Sequence, residues 1–146
     1  MYGTAWKKER TTELVSLALQ KGFRGIDTAC QPRHYEEPLV GDAIFQAVKD
    51  GKLERKDIWI QTKFTPLKGQ GLNQFPYDPK ASIPDQVAQG VQTSRKNLKI
   101  ETIDSLLLHL PLETFNDTML VWRAMEDAVK ENYTRFLGIS NMYDLK

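Results

Sequence analysis

Apolar residues recur along this chain with two periods, and the two periods alternate. After Thr11 and Thr12, either of which would cap a helix, Leu14, Leu17 and Ala18 fall at helical spacing. Gly22 then reads as a helix stop. Phe23–Asp27 is a short strand-like run, and Glu37–Lys49 is a helix with Val40, Ala43, Ile44, Ala47 and Val48 on one side, ended by Gly51. Asp57–Lys63 (DIWIQTK) is rich in strand formers. Residues 64–82 form a long loop containing Pro66, Gly69, Gly71, Pro76 and Pro79, and loops of that length are usually lids, binding loops or disordered. A helix starts near Pro84, with Val87, Val91 and Leu98 inward. Ile103–Leu108 (IDSLLL) has the continuous apolar pattern of a strand covered on both faces. A further helix runs from about Asp117 to Lys130, with Val121, Ala124, Met125 and Ala128 inward. Arg135–Ile139 is the last strand, and Tyr2–Trp6 at the start is too short for a whole one.

Strict strand–helix alternation implies parallel strands joined by crossovers. An open nucleotide-binding sheet should show a glycine-rich strand-to-helix turn. The one close glycine pair, Gly69 and Gly71, lies instead in the long loop, and no P-loop pattern occurs. The remaining architecture is a (β/α)8 barrel, which needs roughly 250 residues. The 146 residues here correspond to about the first five strands and four helices, as one truncated domain over 1–146. Such a half-barrel has two open strand edges and an uncovered apolar interior, so self-association through those edges is expected.

Composition narrows the class. The chain is 40% hydrophobic and 27% charged with a net charge of +1, which points away from nucleic acid. The lone Cys30 excludes an internal disulfide and fits a reducing compartment. No run approaches a membrane span and no secretory pattern opens the chain. The expectation is a soluble cytoplasmic protein without a metal site.

The candidate chemistry lies at the ends of the strands. Thr4, Asp27, Lys63, His109 and Ser140-Asn141 each follow a successive strand, and Tyr35 lies in the loop after the second. In a closed barrel these ends converge. Tyrosine loses its proton near pH 10, and a neighbouring ammonium would lower that value. Asp27 would hold Lys63, and His109 could orient a carbonyl. Such a set suits protonation of a carbonyl oxygen while a cofactor delivers hydride to its carbon.

GFRGIDTA at 22–29, Tyr35 with LVGDAI at 39–44, WIQTKF at 59–64, DSLLLHLP at 104–111 and GISN at 138–141 resemble, in order, the aldo-keto reductase superfamily. The resemblance implies a (β/α)8 barrel and NADPH-dependent reduction of an aldehyde or ketone. It implies a catalytic tetrad of Asp27, Tyr35, Lys63 and His109, with Tyr35 as proton donor. It implies that Thr4, Asp27, Ser140 and Asn141 line the nicotinamide end of the cofactor and that Trp6 faces substrate. His34 and Tyr35 both fall in the place of the family tyrosine, and the need for a phenol selects Tyr35. Ala5 stands between Thr4 and Trp6, a departure from the family opening. The loops that hold the cofactor's phosphates in the family follow its last two strands, which this sequence does not include, so weak or no NADPH binding is expected.

Singly, these residues have plainer readings. Asp27 would be a turn or cap residue, Lys63 a solvated charge, His109 a satisfied core histidine, Tyr35 a surface phenol and Ser140-Asn141 a turn. Cys30 reads as an inert thiol. Two other functions compete: a barrel aldolase using Lys63 as a Schiff-base nucleophile, and a non-catalytic half-barrel that binds a partner.

Overall fold

The computed structural model describes residues 1–71 and 74–143. Five strands form one parallel sheet in the order β1 (Tyr2–Gly3), β2 (Gly25–Asp27), β3 (Trp59–Phe64), β4 (Ile103–Leu108), β5 (Thr134–Ile139). Between them lie α1 (Thr11–Gln20), α2 (Glu37–Lys49), α3 (Ile83–Leu98) and α4 (Phe115–Lys130). Spatial order equals chain order, and each helix packs on the next, α1 on α2, α2 on α3 and α3 on α4. The helices therefore make one layer along the sheet, as in a barrel wall rather than a doubly wound sheet.

Strand alternation divides the core from the functional face. Ile26, Ile60, Leu106 and Leu108 point at the helices and are buried there with Val15, Val40, Ile44, Val87, Val91, Val121 and Met125. The intervening positions, Asp27, Gln61, Lys63 and Ser105, therefore belong to the opposite face. On it Trp59 and Phe136 stack at 5.5 Å between ring centroids, 37% and 53% exposed.

β3 ends one residue later than expected, at Phe64, and β5 starts one residue earlier, at Thr134; four other boundaries differ, each for a local reason. α1 has no side-chain cap: it continues a 3-10 turn at Lys8–Arg10, while Thr11 donates to the Lys8 carbonyl and Thr12 to that of Leu39. Its buried stripe is Val15, Ala18 and Leu19, and Leu17 is exposed. The stripe moves by one residue, about 100° around the helix, because α2 and β2 set which face is covered. Phe23 belongs to the end of α1 rather than to β2: its N–H bonds the Ala18 carbonyl while the Gly22 N–H bonds that of Leu19, and Gly22 has φ +93°. That Schellman arrangement ends α1 and delays the strand to Gly25. β3 begins at Trp59 because Asp57 closes a turn with Glu54, accepting from its N–H at 2.9 Å. α4 begins earlier than expected, with Thr114 capping the N–H of Asp117 at 3.0 Å.

The long loop is not loose over its described length. Tyr77 is buried and donates to the Thr65 carbonyl at 2.7 Å, and Gln70 Nε2 donates to the same oxygen and to that of Cys30.

Gly41 fixes how closely α2 and α3 approach. A Cβ there would overlap the Asn97 carbonyl oxygen and the Leu98 backbone. Gly41→Ala is expected to destabilise the fold by roughly 1–3 kcal/mol, measured by urea denaturation. An unchanged midpoint would show that the helices separate without cost.

Candidate active site

β2 and β3 run side by side with Asp27 opposite Gln61, which sets Lys63 one pleat further towards the rim. Lys63 Nζ lies 2.7 and 2.8 Å from the two Asp27 carboxylate oxygens and donates to the Thr28 carbonyl at 2.7 Å. Gln61 Nε2 adds a third hydrogen bond to the Asp27 carboxylate at 2.9 Å. Lys63 is buried, so its charge is compensated by a bidentate partner rather than by water. A Schiff-base nucleophile needs a free amine lone pair, whereas these contacts direct all three N–H bonds of an ammonium at oxygen acceptors.

Tyr35 is held by a turn in which its N–H bonds the Gln31 carbonyl. Its ring meets that of His109 edge-on at 6.1 Å, and Lys63 Nζ lies 5.3 Å from the ring centre. The structure thus brings Asp27, Tyr35, Lys63 and His109 together. It corrects one expectation, since the phenol is not made more acidic. Burial first, and then the Asp27 carboxylate, push its pKa above the usual 10. The ammonium that was to lower it is neutralised by Asp27. His34, the alternative to Tyr35, points elsewhere: its ring lies 3.8 Å from that of Trp6.

The imidazole of His109 is half-buried. Burial first, and then the Lys63 charge, lower its pKa to about 4, so it is neutral at pH 7. Its Nδ1 lies 2.7 Å from the Thr65 hydroxyl. Its backbone is fixed by its N–H to the Phe64 carbonyl and by Asn141 Nδ2 to its own carbonyl at 2.7 Å.

The other residues singled out from the sequence have these positions. Thr4 is fully buried and donates both its N–H and its hydroxyl to the Asp27 carbonyl, so it holds the strand end that carries Asp27. Trp6 is exposed on His34, with φ +62°. Ser140 follows β5, with its N–H on the Leu108 carbonyl. Asn141 is held at both ends of its amide, by His109 and by the Tyr143 hydroxyl. Cys30 is buried, and burial with nearby Glu37 pushes its thiol pKa well up, which makes it an unreactive thiol.

Three residues of the site escaped the sequence reading. Gln61 and Thr65 share the two-residue period of Lys63, and extending that period along β3 would have found them. Glu37 looked like an ordinary acid in the first turn of a helix. It is fully buried and accepts from Thr62 at 2.6 Å, Ser94 at 2.9 and 3.2 Å and Asn97 at 3.3 Å. It therefore ties the tyrosine loop to the strand of Lys63 and to α3. Burial raises its pKa although every one of these donors favours the carboxylate.

The structure thus presents a one-layer (β/α) wall with an Asp–Lys–Tyr–His cluster at its strand ends. The chain belongs to the aldo/keto reductase family, whose profile matches residues 2–145. It is 30% identical over 149 residues to aldo-keto reductase AKR2E4 of Bombyx mori, covering 95% of this chain and 44% of that protein. It is 26% identical over 161 residues to the NAD(P)H-dependent D-xylose reductase of Pachysolen tannophilus, covering 94% and 46%. The crystal structure of AKR2E4 in complex with NADP matches with a TM-score of 0.74 at 27% identity, over 96% of this chain and 45% of that one. The fold is accordingly part of a (β/α)8 barrel, and the chain spans less than half the length of these relatives.

The low pKa of His109 gives stability a definite pH dependence. Between pH 6.5 and about 4 the unfolded chain takes up a proton at this imidazole and the folded chain does not. The His109 contribution therefore makes the fold less stable as pH falls through that window. An NMR titration should place the His109 midpoint near pH 4, and a midpoint near 6.5 would contradict its burial and the influence of the Lys63 charge.

Proposed function

We propose that the chain carries the reacting groups of an NADPH-dependent carbonyl reductase acting on a small aldehyde or ketone. The observation that supports this most is the Asp27–Lys63 pair with Tyr35 and His109 beside it on the functional face. AKR2E4 is complexed with NADP in its crystal structure, and a Candida boidinii relative is an NADPH-dependent D-xylose reductase. When bound, the reduced nicotinamide supplies the hydride.

Tyr35 and His109 provide two neutral hydrogen-bond donors for one carbonyl oxygen. Tyr35, protonated at neutral pH, gives its proton to the oxygen as negative charge develops there. His109 stays neutral and orients the same oxygen. The Lys63 ammonium, paired with Asp27, lies 5.3 Å from the centre of the Tyr35 ring and fixes the strand ends beside it. Ser140 and Asn141 at the end of β5, together with Asp27, would hold the nicotinamide end of the cofactor through their hydroxyl, amide and carboxylate groups. Thr4 acts by holding the Asp27 carbonyl, and exposed Trp6 borders the substrate side.

The test is NADPH consumption with open-chain sugars and simple aldehydes, together with a fluorescence titration of NADPH on this polypeptide. Tyr35→Phe should lower kcat by roughly 10²–10⁴-fold while leaving NADPH affinity unchanged. Equal turnover by Tyr35→Phe and the parent chain would remove Tyr35 from the proton-transfer step.

A further inference from the structure

We infer that Thr65 is a positioning residue that sets the tautomer of His109. Its hydroxyl donates to Nδ1 and leaves the single imidazole hydrogen on Nε2, where it can be offered to a carbonyl oxygen. The assignment rests on the carbonyl-reducing reading for its purpose, though not for its geometry.

A neutral imidazole carries one ring hydrogen, on one nitrogen or the other. The Thr65 hydroxyl and Nδ1 are 2.7 Å apart, which admits either direction of donation. Burial decides between them. Thr65 is wholly buried, and His109 Nδ1 is the one hydrogen-bond partner of its hydroxyl among the described residues. If Nδ1 carried the hydrogen, the hydroxyl would accept it, and its own hydrogen would be left buried with no acceptor. If the hydroxyl donates, that hydrogen is paired and Nδ1 uses its lone pair. The second arrangement leaves no buried donor unmet.

The hydroxyl cannot readily turn away. Thr65 is β-branched, and its methyl group packs where a side chain on residue 69 would otherwise lie, 2.7 Å from the position of a Cβ on Gly69. Its carbonyl is held by Gln70 and Tyr77, so the far side of the long loop anchors the same residue. The His109 backbone is fixed on its other side by Phe64 and Asn141. Two rigid supports thus face each other across one hydrogen bond. The long loop contributes to the site through Thr65, whatever it contributes to substrate choice.

The test is ¹⁵N NMR of the histidine rings in this 146-residue chain near pH 7, with no cofactor or carbonyl compound. In the parent, the His109 signals should show a protonated Nε2 and an unprotonated, hydrogen-bonded Nδ1. Thr65→Val keeps the shape and removes the hydroxyl. It should move Nδ1 towards an unbonded ring nitrogen and bring in the second tautomer, and Thr65→Ser should restore the parent spectrum. In assays of turnover, Thr65→Val should lower kcat by roughly 10-fold or more with little change in KM. A proton on Nδ1 in the parent, or identical spectra for the parent and Thr65→Val, would overturn the assignment. A parent chain that binds NADPH and yet reduces no aldehyde or ketone would count against the functional reading and leave the tautomer measurement standing.

Discussion

A buried ammonium has to be met by a carboxylate, and at this site that carboxylate is Asp27. Lys63 is enclosed between β2 and β3, where an unpaired charge would be strongly destabilising. Both Asp27 oxygens and the Thr28 carbonyl receive it, and Gln61 occupies a remaining acceptor site on Asp27. The strand register makes this possible, because Gln61 opposite Asp27 brings Lys63 to the height of the carboxylate. Thr4 then holds the backbone oxygen of Asp27 itself. Three adjacent strands are thereby locked at the end where the chemistry lies.

The same pair contributes, after burial, to the electrostatics around Tyr35 and His109. An isolated ammonium would favour the phenolate of Tyr35 and expel a proton from His109. With Asp27 in place, burial first and then the nearby carboxylate hold the phenol's proton more tightly than usual. His109 is governed mainly by burial and is neutral at physiological pH. Tyr35 and His109 are therefore both neutral at physiological pH. Glu37 and Thr65 serve this arrangement from behind, one tying the Tyr35 loop to β3 and the other fixing the His109 ring.

Much of this was legible in the sequence, and what was missed has a common origin. Alternating periods gave the strand–helix order, and the polar residues closing each strand gave Asp27, Lys63 and His109. The ends of α1 and α2 were legible because Gly22 and Gly51 occupy left-handed positions. α3 and α4 end in the same hydrogen-bond pattern at Lys99 and Asn132, with φ +58° at both, and Lys99 carries no such signal. The α1 stripe was misplaced by one residue because Leu17 and Val15 are equally apolar, and only packing against α2 chooses between them. Glu37 was invisible because its role depends on a partner distant in the chain, Ser94, and Thr65, although in phase with Lys63, has no role until His109 lies beside it. The acidity of Tyr35 was misjudged for a related reason. The sequence brings Lys63 near the phenol, but only the register shows that Asp27 has already claimed its charge.

That claim can be read directly from the titration of Tyr35, followed by NMR of ¹³C-labelled tyrosine in the parent chain and in Asp27→Asn. The carboxylate opposes ionisation of the phenol and compensates Lys63, so its removal should bring the Tyr35 midpoint down from its raised position above 10. A midpoint that stays where it was, or rises, in Asp27→Asn would contradict the dependence of the site on this ion pair.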